Sequence, residues 1–162
     1  MLITFLCCKA QTADFRTYGG AGLDHAYDLI ETENGYFLIG TSASLFNGNT
    51  DIYILKLYDD LTVEWSRTIG GPGVDQARAI KQLSSGDLLI LSYTSLGEIG
   101  SYDTKVYRLD ASDGSEMWSA TFGTSDWDLT VDMEVIDDKA FLLSKSYGLP
   151  GSNGHLLMHV ID

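Results

Sequence analysis

The chain has 162 residues, with 10 Lys and Arg against 23 Asp and Glu, which gives a formal net charge of −13. This balance argues against nucleic-acid binding, because affinity for phosphate backbones comes largely from Lys and Arg, and anionic lipid is disfavoured for the same reason. A mean hydropathy of zero argues against disorder and against insertion into a membrane.

The N-terminal residues 1–13 differ in composition from the rest of the chain. Both cysteines, Cys7 and Cys8, lie here, so the remainder holds no disulfide framework and no cysteine-based metal site. The apolar run Met1–Leu6 followed by small and polar residues predicts the remnant of a secretory signal peptide, with cleavage near residues 10–13. A frayed terminus and a lipoprotein signal are the alternatives. We therefore expect a secreted or cell-surface protein.

One motif, T-Y-G-G-A-G-L-D at residues 17–24, occurs again in altered form at 68–75 and 121–128. Its closing aspartates, Asp24, Asp75 and Asp128, fall 51 and then 53 residues apart. A fixed period of this length is typical of repeat architectures.

The segments between the motif copies predict short strands, because apolar residues run continuously or alternate between Gly- and Asn-containing turns. Helical spacing is absent. The first unit has a short strand at Asp14–Tyr18, then strands at His25–Thr32, Tyr36–Ser42, Asp51–Tyr58 and Val63–Ile69. The second unit has Gln76–Leu83, Asp87–Thr94, Asp103–Asp110 and Glu116–Phe122, and the third has Leu129–Ile136, Ala140–Ser146 and Gly154–Asp162.

Four-stranded antiparallel units at this period predict an all-β protein built of β-propeller blades, with a β-sandwich as the alternative. The repeat region is 14–162, and the blades are expected at about 19–69, 70–122 and 123–162, the last one incomplete. Propellers have about four to eight blades. We therefore expect either further blades in a longer protein or a second copy that closes the ring, with Asp14–Tyr18 supplying the missing strand.

The repeat W-x-x-T-(Y/I/F)-G-G-x-G-x-D, with a later (S/T)-D and (K/R)-L-D, resembles the roughly 50-residue repeats of β-propellers secreted by Bacteroidetes and other prokaryotes. These repeats belong to the broad quinoprotein/kelch-like propeller group. The resemblance covers residues 14–162 and implies the fold, but no particular activity. The chain departs from the pattern at Asp14, where Trp65 and Trp118 stand in the other units, and at Thr124 and Gly154 in the third unit.

In a four-stranded meander, the connection into the first strand and the connection between the second and third strands lie at one end of the sheet. Long polar loops therefore gather at this end, which is the expected ligand-binding face. Aspartates open the first and third strands there, and they predict either a Ca²⁺ site or bonds to the N–H groups of their own turns. These residues are Asp24, Asp51, Asp75 and Asp103.

The third motif copy adds Asp126, Trp127 and Asp128 to the same face. Trp127 is a candidate for contact with a carbohydrate or a peptide, and local loop packing is the alternative. Trp65 and Trp118, at equivalent strand positions, are expected to pack between blades.

No catalytic residue is predicted. The sequence has no Ser-His-Asp order and no H-E-x-x-H, and His25, His155 and His159 are interpreted as ordinary strand or surface residues. The Gly-rich motif lacks the Lys and the following helix of a phosphate-binding loop. We expect a non-catalytic module that binds a protein or a carbohydrate, without a cofactor except for the possible Ca²⁺. A glycan-active or quinoprotein-like enzyme is the alternative.

Overall fold

The computed structural model describes residues 15–44, 50–95, 99, 101–151 and 153–162, so the expected signal remnant and parts of the long loops lie outside it. The described residues form eleven β-strands and no helix, and among them no helical segment suits a membrane crossing. The strands are β1 Asp24–Thr32, β2 Gly35–Ser42, β3 Asp51–Leu57, β4 Val63–Ile69, β5 Asp75–Gln82, β6 Leu88–Ser95, β7 Tyr102–Leu109, β8 Glu116–Phe122, β9 Asp128–Ile136, β10 Lys139–Ser146 and β11 His155–Ile161.

These strands form three antiparallel sheets, which confirms the all-β class. The first sheet has the order β1-β2-β3-β4, the second β5-β6-β7-β8, and the third β11-β10-β9. Each strand is hydrogen-bonded to the next one along the chain, so every sheet is a simple meander. Strands after the first motif copy begin and end within one residue of the sequence-based expectation.

The strand expected at Asp14–Tyr18 would pair with a further blade or a second copy, so it stays a prediction. Residues 15–18 have no strand pairing, and Phe15 is largely exposed. One contact of this segment is made by a side chain: the Tyr18 hydroxyl donates a hydrogen bond of 2.7 Å to the carbonyl of Leu61. Residues 16–18 line a cavity of about 350 Å³ against the first sheet, instead of extending a ladder.

The first strand of each sheet contains a β-bulge, which leaves one residue out of register. Ala26 and Asp28 pair with consecutive residues of β2, so Tyr27 is the extra residue. The same irregularity leaves Arg78 out of register in β5 and Val131 in β9. A bulge bends the strand and redirects a side chain, so these three positions differ from the regular pleat.

Two hydrophobic clusters join the sheets face to face. The first lies between sheets one and two, and the second between sheets two and three. Trp65 and Trp118 are partly buried against the first and second clusters respectively, and the Trp65 ring lies 5.7 Å from Phe37. The fully buried members include Ile39, Ile52, Ile54, Ile80, Leu88, Ile90 and Leu109 in the first cluster and Leu91, Val106 and Leu142 in the second.

We expect Leu91→Ala to lower the free energy of unfolding by about 2–5 kcal/mol, because it opens a cavity between two packed sheets. The same substitution at the exposed Leu23 is the control, and it should cost less than about 0.5 kcal/mol. Urea denaturation of both variants measures the difference. Equal losses would mean that the second cluster does not hold the sheets together.

Candidate functional site

The strand-opening aspartates lie at one end of the sheets, as the meander requires. Ser42 of β2 pairs with Asp24 on one side and with Asp51 on the other, and the second sheet repeats this arrangement around Thr94. A backbone hydrogen bond of 2.7 Å from the Asp75 N–H to the Thr50 carbonyl connects the second sheet to the first at this end.

Each motif-closing aspartate accepts a hydrogen bond from the backbone of its own turn. In the third copy, Thr124 replaces the second Gly of the motif. Its N–H still donates to Asp128, and its hydroxyl donates a further hydrogen bond of 2.9 Å to Asp128 Oδ2. This observation favours the turn-stabilising interpretation of these carboxylates. The three bonds are Gly20 N to Asp24 Oδ2 at 2.9 Å, Gly71 N to Asp75 Oδ2 at 2.7 Å and Thr124 N to Asp128 Oδ2 at 2.5 Å.

The strand-opening carboxylates come close to one another between neighbouring sheets and not within one sheet. Asp24 and Asp51 both pair with Ser42, so their backbones are about 9–10 Å apart. Asp51 approaches Asp75 of the next sheet instead. A methyl group on Gly70 would lie 2.2 Å from Asp51 Oδ1 and 3.1 Å from Asp75 Oδ2, so both carboxylates flank the same small space.

The second junction repeats this geometry with Asp103 and Asp128. A methyl group on Gly123 would lie 2.3 Å from Asp103 Oδ1 and 3.0 Å from Asp128 Oδ2. Both aspartates are almost completely buried. Asp103 also accepts a hydrogen bond of 3.2 Å from the Ile99 N–H.

The pKa values of Asp51 and Asp24 are shifted in opposite directions. Burial raises the pKa of Asp51, and the neighbouring Asp75 raises it further. At the more open Asp24, hydrogen bonds from Ser42, the Gly20 N–H and Ser44 hold the pKa below its usual range. The two carboxylates that open strands of the first sheet therefore differ in their ionisation.

A Ca²⁺ ion takes six to eight oxygen ligands. The described residues contain no cluster of three or more His, Cys, Asp or Glu side chains arranged to hold a metal. One oxygen, Asp128 Oδ1, is buried without a hydrogen-bond partner. The Ca²⁺ site therefore stays a prediction, and the geometry directs it to the junctions between sheets.

Trp127 is the exposed end of a line of aromatic side chains on this face. It is 48% exposed, its ring centroid lies 5.3 Å from that of Tyr102, and Tyr102 lies 5.7 Å from Tyr93, both in edge-on contacts. Asp126 accepts a 2.9 Å hydrogen bond from the Trp127 N–H and helps to shape the turn. Trp127 also forms a parallel bridge with Tyr102, which fixes its backbone against the second sheet.

The line continues to the first sheet through Arg78. Its guanidinium carbon lies 4.9 Å from the ring centroid of Tyr93 and 5.1 Å from that of Tyr27. Both tyrosine hydroxyls donate to the side-chain oxygen of Gln76. Burial raises the pKa of Tyr93, and the positive charge of Arg78 opposes this effect. We call Tyr27, Gln76, Arg78, Tyr93, Tyr102 and Trp127 the aromatic–arginine cluster.

Sequence reasoning identified only Trp127 of this cluster. The other members come from four strands and two sheets. Tyr27 and Arg78 are placed by bulges that a strict alternation does not predict. The sequence does distinguish three further members, because Tyr93, Tyr102 and Arg78 have no counterparts of the same type in the other units.

A second cavity, of about 670 Å³, lies at the opposite end between the turns of the first two sheets. Its cations already have partners within the protein. The buried Lys56, which lines the cavity, donates to Thr32 Oγ1 at 3.0 Å and lies over Phe37. The lining Asp87 is bound by the neighbouring Arg108. Burial lowers the pKa of Lys56. We interpret these contacts as stabilising the turns.

Comparison with protein-family models and with curated protein sequences gave no match for this chain. The function is therefore inferred from the residues and their geometry.

We expect Gly70→Ala to destabilise the protein by about 1–3 kcal/mol, because the new methyl group overlaps the buried Asp51 carboxylate. Gly71→Ala is the matched control: its methyl group would meet only Asp75 Oδ2, at 3.8 Å. Thermal unfolding of the two variants compares them. Equal midpoints would show that the junction is not tightly packed around Gly70.

Asp51→Asn tests the electrostatics of the junction. The raised pKa means that folded Asp51 keeps its proton to a higher pH than unfolded Asp51, so this residue lowers the free energy of unfolding as pH rises. This loss begins near the ordinary aspartate pKa of about 3.9 and is complete above the folded pKa. The stability of the variant relative to the natural protein should therefore increase with pH over that window and then level off.

Denaturant titrations at several pH values from about 4 to 7 measure this difference. Asp59→Asn, at an exposed turn position, removes the same charge and serves as the control. A relative stability of Asp51→Asn that does not vary with pH would contradict the raised pKa.

Proposed function

We propose that the three sheets are blades of a larger β-propeller. Successive antiparallel meanders pack face to face, and their first strands contact one another in turn, β1 with β5 and β5 with β9. This is the arrangement expected when first strands surround a central axis. The fold-level resemblance of the repeats supports the same conclusion.

The third sheet has a face that the described residues leave open. Leu156, Met158 and Val160, at alternating positions of β11, are all at least half exposed. Exposed apolar stripes of this kind are typical of interaction surfaces. In our proposal, further blades cover the open faces, supplied either by a longer protein or by a second copy of the chain.

We further propose that the protein is a secreted or cell-surface module that binds a carbohydrate or a protein at the loop ends without catalysis. The observation that carries this proposal is the exposed Trp127 at the end of a contiguous aromatic line. Tyrosine and tryptophan combine an apolar face with a polar edge, which suits recognition surfaces. Rigid strands hold this line in place, so little entropy is lost when a ligand binds.

The paired carboxylates are less suited to the enzymatic alternative. Asp51, Asp75, Asp103 and Asp128 are all buried beneath the Gly-containing turns. A catalytic acid or base must come within hydrogen-bond reach of its substrate. These carboxylates therefore suit a structural role better than glycoside cleavage.

Trp127→Ala should weaken ligand binding about tenfold or more, as expected for removal of a central aromatic anchor. Tyr58→Ala is the control, since Tyr58 is 49% exposed but lies at the opposite end of the sheets. The measurement is binding of both variants to immobilised oligosaccharides and candidate proteins by surface plasmon resonance. Equal binding by the two variants would contradict the assignment of the loop ends as the binding face.

A further inference from the structure

Among the residues that the structure describes, the aromatic–arginine cluster occurs once, although it is built on positions that recur in every sheet. The bulge residue is Tyr27 in the first sheet, Arg78 in the second and Val131 in the third. A contact that stabilises every blade should recur, as the turn-bonded aspartates do. The uniqueness of the cluster indicates a role beyond the scaffold.

The second observation is the charge environment of Arg78. The described part of the chain contains four ion pairs, and none of them includes Arg78. The Arg78 Nε atom is buried without a hydrogen-bond partner. In a protein with 23 acidic residues against 10 basic ones, a guanidinium held between two tyrosine rings is therefore poised to bind an acidic group.

We propose that the aromatic–arginine cluster binds a saccharide that carries a carboxylate, of the uronic acid class. This inference rests on the proposed binding function and specifies its ligand. Arg78 pairs with the sugar carboxylate, since a guanidinium presents a planar set of donors that matches a carboxylate. Trp127 and Tyr27, the more exposed members of the cluster, pack against the C–H faces of the sugar rings.

The chemistry of the cluster favours a saccharide over a peptide or a densely charged polymer. The line of rings Tyr93–Tyr102–Trp127 offers repeated flat surfaces with polar edges, which match alternating C–H faces and hydroxyl groups. The net charge of −13 opposes polyanions at long range, but at physiological ionic strength this repulsion is screened beyond about 8 Å. A short oligosaccharide with one carboxylate near Arg78 therefore fits best.

The test compares short oligosaccharides of galacturonic, glucuronic and mannuronic acid with the same oligosaccharides after their carboxylates have been reduced to alcohols. Isothermal titration calorimetry with the full chain measures each pair. We expect at least one acidic oligosaccharide to bind about 10- to 100-fold more tightly than its reduced form, as a charge-assisted bond provides. Arg78→Gln should abolish this difference, and Arg78→Lys should keep only part of it.

Arg67→Gln is the matched control, because it removes the same charge from an exposed arginine whose partners are the carbonyl and carboxylate of Asp113. It should leave the acidic preference unchanged. Circular dichroism and thermal unfolding of each variant establish that the fold is intact before binding is compared.

Equal binding of acidic and reduced forms, or a preference that survives in a folded Arg78→Gln variant, would overturn the inference and leave the binding function standing. Failure of every acidic oligosaccharide to bind also overturns it. Binding of a protein ligand that depends on Trp127 would then support the proposed function with a different partner. Loss of all binding at the loop ends would overturn both.

Discussion

A buried carboxylate at the start of the first strand is the constraint on which the arrangement at the loop ends depends. Taking a carboxylate out of water is costly unless it accepts hydrogen bonds. The chain supplies them from its own turns, through Gly71 N–H to Asp75 and Thr124 N–H to Asp128. For these bonds to form, the backbone must approach the carboxylates so closely that no side chain fits at residue 70 or 123.

This constraint acts between sheets as well as within them. The turn that serves Asp75 also closes over Asp51 of the preceding sheet, and the second junction repeats this with Asp103 and Asp128. Hydrophobic packing holds the middle of each sheet, where residues such as Ile54 and Leu91 are completely buried. Polar contacts at the junctions then fix how the ends of the sheets meet, and hence where the loop residues lie.

Much of the fold could be predicted from the sequence because its information is local. Alternation, Gly-containing turns and the repeated motif define the eleven strands, and tertiary packing agrees with them. The strand expected at Asp14–Tyr18 needs the edge of a further blade, which local alternation does not reveal, and residues 15–18 are unpaired within this chain. The pairing of Asp51 with Asp75 could not be deduced either, since it depends on how two sheets pack. The position of Arg78 between Tyr27 and Tyr93 depends on two bulges and on the contact between two sheets.

Residues that recur in every sheet can be assigned to the scaffold, and residues that occur in one sheet only are candidates for the site. Two sets of residues at the loop ends differ in this respect. The motif-closing aspartates recur at corresponding positions and accept a bond from their own turn in each copy, so the fold itself explains them. Arg78, Tyr93, Tyr102 and Trp127 occupy positions that other sheets fill with different residues, such as Val131 at the bulge of β9. The fold needs a bulge there, but it does not need an arginine. In our proposal a ligand accounts for the residues that the scaffold does not require, and Arg78 and the ring faces at this end select that ligand.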